Sequence, residues 1–166
     1  MRAIRLAVLA LLLVATQVDD VTISDRFVQH IERLEGFRAR LYQDTGGVWT
    51  IGYGHVPEPG EDFEKRTLTR DEALALLKHD IEEAEAVVNR LVAVNLKQEQ
   101  FDALVSFVFN IGEGAFAGST LLRKLNAGHC CAVPDQMRRW SRDKGRVIAG
   151  LVARRSAEIA LFTGDC

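Results

Sequence analysis

The residues from Glu35 to His55, EGFRARLYQDTGGVWTIGYGH, constrain the fold of this chain more than any other stretch. Before them, four apolar residues recur at helical spacing and predict one face of an amphipathic helix: Phe27, Val28, Ile31 and Leu34. Gly36 follows Glu35 directly, as a C-terminal helix cap does. After the Asp-Thr-Gly-Gly turn signal, residues 48–54 are rich in β-branched and aromatic side chains, which indicates a strand. The pattern predicts a helix that leads into a small hairpin.

Glu35 is an unusual residue for the end of a helix. The negative end of the helix dipole disfavours an ionised carboxylate there, so structure alone would favour Lys or Arg. Exclusion of water would disfavour the ionised form further. We therefore interpret Glu35 as a residue placed for chemistry, and we expect Glu35→Gln to leave the fold intact or more stable.

A second carboxylate, Asp44, begins the turn, and Thr50 lies in the strand that follows. Glycoside hydrolysis needs one protonated carboxylic acid for the leaving oxygen and one ionised carboxylate that activates water or stabilises positive charge. A threonine hydroxyl both donates and accepts hydrogen bonds, so Thr50 is suited to hold the attacking water. Together, these residue types predict a glycosidase site.

The order Glu35, eight residues, Asp44, five residues, Thr50 resembles the catalytic signature of the phage-type lysozymes, glycoside hydrolase family 24. Residues 50–55, TIGYGH, resemble the end of that family's hairpin almost residue for residue. The resemblance implies an α+β, mostly helical fold with a small hairpin lobe, a connecting helix and a helical C-terminal lobe. It also implies hydrolysis of the β-1,4 bond between N-acetylmuramic acid and N-acetylglucosamine in peptidoglycan, without a cofactor.

The resemblance also implies a role for each site residue. Glu35 would be the general acid, Asp44 would ready the water or stabilise positive charge, and Thr50 would orient that water. An inverting reaction is the implied outcome. Inverting enzymes separate their two carboxyl groups by about 6.5–9.5 Å, and retaining enzymes by about 5–5.5 Å.

Further along the chain, Phe109-Asn110-Ile111-Gly112 and Ser119-Thr120 resemble positions that border the sugar-binding cleft of the family. Amides and hydroxyls can hydrogen-bond to sugar hydroxyls and N-acetyl groups, and aromatic faces can stack on sugar rings. The expected substrate-binding residues are Val56, Phe109, Asn110, Ser119 and Thr120. Structural alternatives stay open, since Phe109 also suits a core position and Ser119 also suits a helix cap.

Thr69-Arg-Asp-Glu72 is a capping box, and it predicts a long helix through about Arg90. The family resemblance places this helix beside the end of the hairpin. We therefore expect His55 to pair with Asp80, which would raise the pKa of the histidine above about 6.5, and an exposed, unpaired histidine is the alternative.

The formal net charge of −2 argues against a strong field that would attract nucleic acid, and we expect no such partner. The charge is unevenly distributed, because residues 56–102 hold twelve acids against six Lys or Arg, whereas residues 121–158 hold nine Lys or Arg against three acids. The basic part fits an anionic polymer such as the bacterial wall, and ordinary solvated faces are the alternative. Residues 150–158 resemble the family's terminal helix, where the resemblance allows an arginine to point toward the cleft, but Arg154 and Arg155 taken singly are interpreted as solvated surface residues. The expected partner is the peptidoglycan glycan strand, bound by a monomer.

At the N-terminus, Arg2 and Arg5 precede ten apolar residues, Leu6 to Ala15. This run is too short to span a bilayer, but it matches the core of an export signal. The resemblance offers a second interpretation of these residues as a signal-arrest-release segment. Such a segment is exported uncleaved and holds the enzyme inactive at the membrane until the segment leaves the bilayer. Both interpretations stay open beside a buried helix. We expect residues 1–23 to direct export to the host periplasm, with transient contact to the inner membrane, and residues 24–166 to form the lysozyme domain.

The chain has three cysteines, Cys130, Cys131 and Cys166. In an exported protein an odd set predicts one disulfide and a spare thiol, and we expect Cys131 to pair with Cys166. His129 stands beside two of the cysteines, but no second ligand pair follows at zinc spacing, so no metal is expected.

Other functions also fit parts of this pattern. A peptidoglycan lytic transglycosylase or a chitinase on a related scaffold would use a similar acid, but a transglycosylase leaves 1,6-anhydro ends and a hydrolase leaves reducing ends. A catalytically inert wall-binding protein belongs to a different class. The intact set of Glu35, Asp44 and Thr50 argues against it, because a binding module has no use for an acid at a helix C-terminus.

Overall fold

A computed structural model of the chain describes residues 22–44 and 47–163. The apolar run of the predicted export segment and Cys166 lie outside the described residues. Within them, the helices are α1 (Asp25–Glu35), α2 (Arg70–Leu91), α3 (Gln98–Ile111), α4 (Glu113–Ala117), α5 (Thr120–Asn126), α6 (Val133–Arg138) and α7 (Ala149–Phe162). The strands are β1 (Arg38–Gln43), β2 (Trp49–Gly52), β3 (Arg142–Asp143) and β4 (Arg146–Val147). The fold is α+β and mostly helical, as predicted.

The hairpin lobe consists of β1 and β2, which pair antiparallel with Tyr42 opposite Thr50. β2 ends earlier than the predicted strand of residues 48–54. The reason is local, since Gly52 and Gly54 have φ angles of 68° and 98° and fold the chain back on itself. His55 then forms an isolated backbone bridge with Ile51. The histidine is thereby fixed at the end of the hairpin.

The connecting helix α2 begins at the predicted capping box. Thr69 accepts a hydrogen bond from the Glu72 N–H at 3.2 Å, and the Glu72 carboxylate accepts one from the Thr69 N–H at 2.8 Å. One face of the helix is buried through Ala73, Leu77, Ile81, Ala84, Val87 and Val88. Because α2 contacts α1 and β2 as well as α3, it joins the hairpin lobe to the helical lobe.

The helical lobe is built around α3, which is buried on all sides from Gln100 to Val108. A helix that is apolar almost all round must pack on several neighbours, and α3 packs against both α2 and α7. The Phe107 ring meets the rings of Phe116 and Trp140 edge to face, with centroids 6.4 and 5.9 Å away. Trp140 therefore belongs to the core. Among the described residues, no helix is long and apolar enough to cross a membrane.

The cysteine prediction is corrected by the structure, in which Cys130 is the residue that carries a disulfide. The expected bond from Cys131 to Cys166 therefore names the wrong one of the two adjacent cysteines. The two neighbours differ in their surroundings, since Cys130 is half-buried against the core and receives an amide contact from Gln100 at 3.7 Å, whereas Cys131 is exposed.

Candidate active site

Glu35 is the last residue of α1, and its side chain is 20% exposed. The chain turns away at once because Gly36 has a φ angle of 69°. The Arg154 guanidinium of α7 donates a hydrogen bond to Oε1 of Glu35. A β-carbon built on Gly54 would lie 3.3 Å from the other oxygen, Oε2. Glu35 therefore lies where α1, α7 and the end of the hairpin meet.

Arg154 corrects the expectation that the arginines of α7 are solvated at the surface. It is 6% exposed and Arg155 is 1% exposed, so neither arginine is a solvated surface residue. A buried charge needs a partner of opposite sign, and Glu35 and Glu158 provide these partners. Glu35 consequently faces a cation as well as the negative end of its helix. The spacing of Arg154 and Glu158, four residues apart on one helix, is the sequence signal that could have revealed the pair.

Glu158 is a buried carboxylate behind the catalytic candidate. Its Oε1 accepts hydrogen bonds from Ser106 Oγ at 2.8 Å, Arg155 at 2.9 Å and Arg154 Nε at 3.3 Å. Burial raises the pKa of Glu158, and the positive charges of Arg155 and Arg154 oppose that rise. Glu158 is not among the residues that the sequence predicts to be functional.

Asp44 follows the last residue of β1, and its carboxylate accepts a hydrogen bond from the Val48 N–H at 2.8 Å. The backbone N–H of Asp44 donates to the Val48 carbonyl at 2.9 Å. On the facing strand, the Thr50 hydroxyl donates to the same carbonyl at 3.1 Å, and Thr50 is 5% exposed. The turn thus fixes both polar side chains against the backbone of one residue, Val48.

Tyr42 connects the two carboxylates electrostatically. Burial raises the pKa of its phenol above the ordinary value, and the negative charges of Glu35 and Asp44 raise it further against the opposing charge of Arg38. Tyr42 is also the register partner of Thr50. Both carboxylates therefore act on one side chain of β1, beside the strand that carries the threonine.

A cleft of about 490 Å³ opens between the lobes at the end of the hairpin. Two of the predicted substrate residues, Val56 and Phe109, line it together with Gly54. Phe109 also packs against the core, and its ring centroid lies 5.8 Å from the Arg154 guanidinium carbon. Phe109 thus borders the cleft on one side and packs against the core on the other.

The other three predicted substrate residues do not line this cleft. Asn110 is exposed and accepts a hydrogen bond from Arg155 at 2.9 Å. Ser119 caps α5 by accepting from the Leu122 N–H at 3.0 Å, and the Thr120 hydroxyl accepts from Arg123 at 3.3 Å. The capping alternative for Ser119 is realised, and the substrate contacts of all three residues stay predictions.

The predicted pair of His55 and Asp80 is confirmed, with Nδ1 of the histidine 2.9 Å from Oδ1 of the aspartate. Its other ring nitrogen lies 2.9 Å from Oε2 of Glu61, which the sequence analysis did not foresee. The hydrogen bond to Asp80 is the largest cause that raises the pKa of His55 to about 9, despite its burial. Among the described residues, no group of His, Cys, Asp and Glu side chains is arranged to hold a metal ion.

Comparisons with known proteins cover most of the chain. A family model described as phage lysozyme matches residues 32–158. An endolysin of Acyrthosiphon pisum secondary endosymbiont phage 1 is 40% identical over 144 residues, which span 84% of this chain and 97% of the endolysin. A SAR-endolysin of Escherichia phage Mu is 41% identical over 134 residues, 81% of this chain and 77% of that protein. The muramidase domain of SpmX from Asticaccaulis excentricus matches with a TM-score of 0.76 and 39% identity, over 87% of this chain and 99% of the domain.

Proposed function

The chain belongs to the phage lysozyme family, and we propose that Glu35, Asp44 and Thr50 carry out its chemistry. It is a muramidase, which hydrolyses the β-1,4 bond between N-acetylmuramic acid and N-acetylglucosamine in peptidoglycan and so lyses the host cell. The assignment of residues is supported by the geometry of the hairpin, because Glu35 ends α1 just before β1, Asp44 is fixed at the turn by the Val48 N–H, and Thr50 lies on the facing strand.

Glu35 is the proposed general acid. Arginine has only donors, so the oxygen that accepts from Arg154 cannot also present a proton in that direction. The donated proton therefore belongs on Oε2, the oxygen beside Gly54. A glycine at that position leaves room for the leaving oxygen of the sugar to approach the acid.

Asp44 is the proposed base or charge stabiliser, and Thr50 is the proposed holder of water. The Val48 N–H holds the carboxylate of Asp44 at the turn by donating a hydrogen bond to it at 2.8 Å. The hydrogen of the Thr50 hydroxyl is directed at the Val48 carbonyl, so its lone pairs face other groups and can accept from a water molecule. That water would attack the anomeric carbon on the face opposite Glu35, with inversion of configuration.

Product analysis on purified peptidoglycan tests the reaction. We expect new reducing ends in proportion to bonds cleaved, and the first product should carry the inverted anomeric configuration in proton NMR spectra. Products with 1,6-anhydro ends would identify a transglycosylase instead. Retained configuration would leave the hydrolase intact and assign Asp44 a nucleophilic role.

The proposed substrate contacts are Val56 and Phe109 in the cleft and Asn110, Ser119 and Thr120 beyond it. Val56 is 53% exposed and Phe109 offers an aromatic face, which suits apolar contact with sugar rings. Asn110 offers an amide near the buried arginines. A lower apparent affinity for glycan strands after alanine substitution at each position would support these contacts.

We also propose that residues 1–23 export residues 24–166 to the host periplasm and tether them to the inner membrane before release. Support comes from the apolar run from Leu6 to Ala15 behind Arg2 and Arg5, and from the similarity to a SAR-endolysin. The proposed enzyme acts as a monomer on peptidoglycan strands.

A further inference from the structure

We propose that Glu158 is a positioning residue that aims Arg154 at the catalytic acid and Arg155 at Asn110. The inference rests on the proposed role of Glu35 as general acid. The Glu158 side chain is 1% exposed and lies between two guanidinium groups. Its Oε1 accepts from Arg154 Nε at 3.3 Å and from Arg155 at 2.9 Å, and its Oε2 lies 2.7 Å from Arg155 Nε.

Two adjacent buried arginines need such a partner. Arg154 and Arg155 repel each other, and the charge of Arg154 adds to the burial that lowers the pKa of Arg155. Removing one member of a buried ionic cluster leaves an uncompensated charge, which is strongly unfavourable. Glu158 is the carboxylate that both arginines share, so it sets the position of each.

Three hydrogen bonds determine where Arg154 points. Its Nε donates to Glu158, its NH2 group donates to the Ser106 carbonyl at 3.4 Å, and its NH1 group donates to Glu35. Because a guanidinium group is planar and rigid, fixing the Nε edge also fixes the direction of NH1. Glu158 therefore acts on the acid through the orientation of Arg154.

The second branch runs through Arg155 to Asn110. The guanidinium carbon of Arg155 lies 4.7 Å from the centroid of the Phe107 ring, and its NH2 group donates to Oδ1 of Asn110 at 2.9 Å. Arginine cannot accept a hydrogen bond, so the amide oxygen must face it and the amide nitrogen must face away. Asn110 thus presents a donor, which suits the acyl oxygen of an N-acetyl group.

Other titrating groups surround this cluster and affect its pH dependence. On α1, burial and the charges of Arg33 and Arg154 lower the pKa of His30. On β1, the pKa of Tyr42 is raised. At neutral pH both side chains are uncharged, so Arg154, Arg155 and Glu158 are the charged groups of this cluster that act on Glu35.

The test is Glu158→Gln, measured as kcat and KM on purified peptidoglycan across pH, beside wild type and Glu35→Gln. Glutamine keeps the shape but leaves one excess positive charge, which favours ionised Glu35. We expect the alkaline limb of the kcat profile to move about one pH unit downward. The reason is that Glu158 is separated from Glu35 only by the Arg154 guanidinium, and at this distance the loss of one charge changes a pKa by about one unit. Glu158→Asp keeps the charge, so its limb should stay in place while its kcat falls.

The matched control is Asp102→Asn, which removes a carboxylate that is 5% exposed and bonds Ser24 rather than an arginine. It should lower stability without moving the pH limb. If Glu158→Gln lowers stability in the same way with an unmoved limb, Glu158 is only structural and the proposal is overturned. An active Glu35→Gln variant would instead overturn the proposed function, so the two failures are distinguishable.

If Glu158→Gln does not fold, the double variant Arg155→Met/Glu158→Met removes one charge of each sign and leaves no acceptor for Arg154 Nε. Apolar replacement of a buried ion pair is often tolerated, so this variant should fold. Because the net charge is kept, the pH limb should stay in place, but Arg154 loses its guide and kcat should fall about 10-fold. A wild-type kcat in this variant would overturn the proposal.

Discussion

Nδ1 of His55 lies 2.9 Å from Oδ1 of Asp80, so the end of the hairpin is tied to the middle of the connecting helix. Glu61 belongs to the loop between the hairpin and the connecting helix. Its Oε2 lies 2.9 Å from Nε2, the opposite ring nitrogen of His55. His55 is 5% exposed and has a carboxylate at each nitrogen, an arrangement that favours the charged imidazolium. One histidine thereby joins the end of the hairpin, the loop that follows it and the connecting helix.

The first prediction concerns the pH dependence of this contact. The pKa of His55 is raised from 6.5 to about 9, so its stabilising contribution is complete below about pH 6.5 and is lost as pH rises through 9. One pKa unit corresponds to about 1.4 kcal/mol, so this shift sets an upper limit of about 3.5 kcal/mol on the contribution. Asp80→Asn should therefore be less stable than wild type at pH 6, and the difference should narrow by pH 9. Urea unfolding at both pH values measures it.

NMR titration of His55 provides the direct readout, with Glu61→Gln as the matched control. The Asp80 hydrogen bond is the largest cause of the raised pKa, so Asp80→Asn should lower the pKa of His55 more than Glu61→Gln does. An identical His55 pKa in wild type and Asp80→Asn would falsify the pairing.

The second prediction is that Glu35→Gln abolishes lysis, with activity reduced at least about 100-fold, because an amide cannot donate the proton that a general acid supplies. The structure changes the expected stability. An uncharged glutamine no longer balances the positive charge of Arg154, which is 6% exposed. The variant should therefore be slightly less stable than wild type, and not equally or more stable as the sequence predicts. Turbidity of permeabilised Gram-negative cells and thermal unfolding measure both effects. Substantial lysis by the folded variant would remove Glu35 from the general-acid role.

The third prediction is that Asp44→Asn also loses activity by about 100-fold. The side-chain oxygen of asparagine can still accept from the Val48 N–H, so the turn should keep its shape. Circular dichroism should match wild type while peptidoglycan hydrolysis fails. Near-normal hydrolysis by this variant would move the base to another residue.

The fourth prediction concerns the N-terminal segment. Blotting of membrane and periplasmic fractions should find the chain in both, first in the membrane and later in the periplasm. Persistence of residues 1–15 on the released protein would indicate an uncleaved segment, and a shortened form would indicate signal cleavage. Full-length protein confined to the cytosol would contradict export.

The elements that the sequence predicts well are those set by local signals. The end of α1 at Glu35, the hairpin turn at Asp44 and the start of α2 after Thr69 depend on residues within a few positions of one another. The pairing of His55 with Asp80 needed the family resemblance as well, since it joins positions 25 apart.

The features that the sequence analysis missed depend on distant contacts. Arg154 meets Glu35 across 119 positions, and Glu158 meets Ser106 across 52. Taken singly, an arginine or glutamate on a terminal helix is expected to be solvated, and only the packing of α7 against α3 reverses that expectation. The disulfide at Cys130 likewise depends on which of two adjacent cysteines packs against the core.

The last prediction tests the space around the catalytic acid. Gly54 has a φ angle of 98°, and a β-carbon there would lie 3.3 Å from Oε2 of Glu35. Gly54→Ala should therefore strain the backbone by about 1–2 kcal/mol and also displace the acid by a few tenths of an ångström. We expect a loss of hydrolysis of about 10-fold, since misplaced catalytic groups lose rate steeply.

Gly60→Ala is the matched control for this substitution. Gly60 has a φ angle of 107°, but a β-carbon there would meet no atom within 4 Å. The two variants should therefore lose similar stability in thermal unfolding, because the backbone strain is alike, while only Gly54→Ala loses hydrolysis. Equal activity in both variants would show that the approach of Gly54 to Glu35 does not matter for catalysis. Loss of activity in both would assign the effect to strain in the hairpin lobe rather than to the acid.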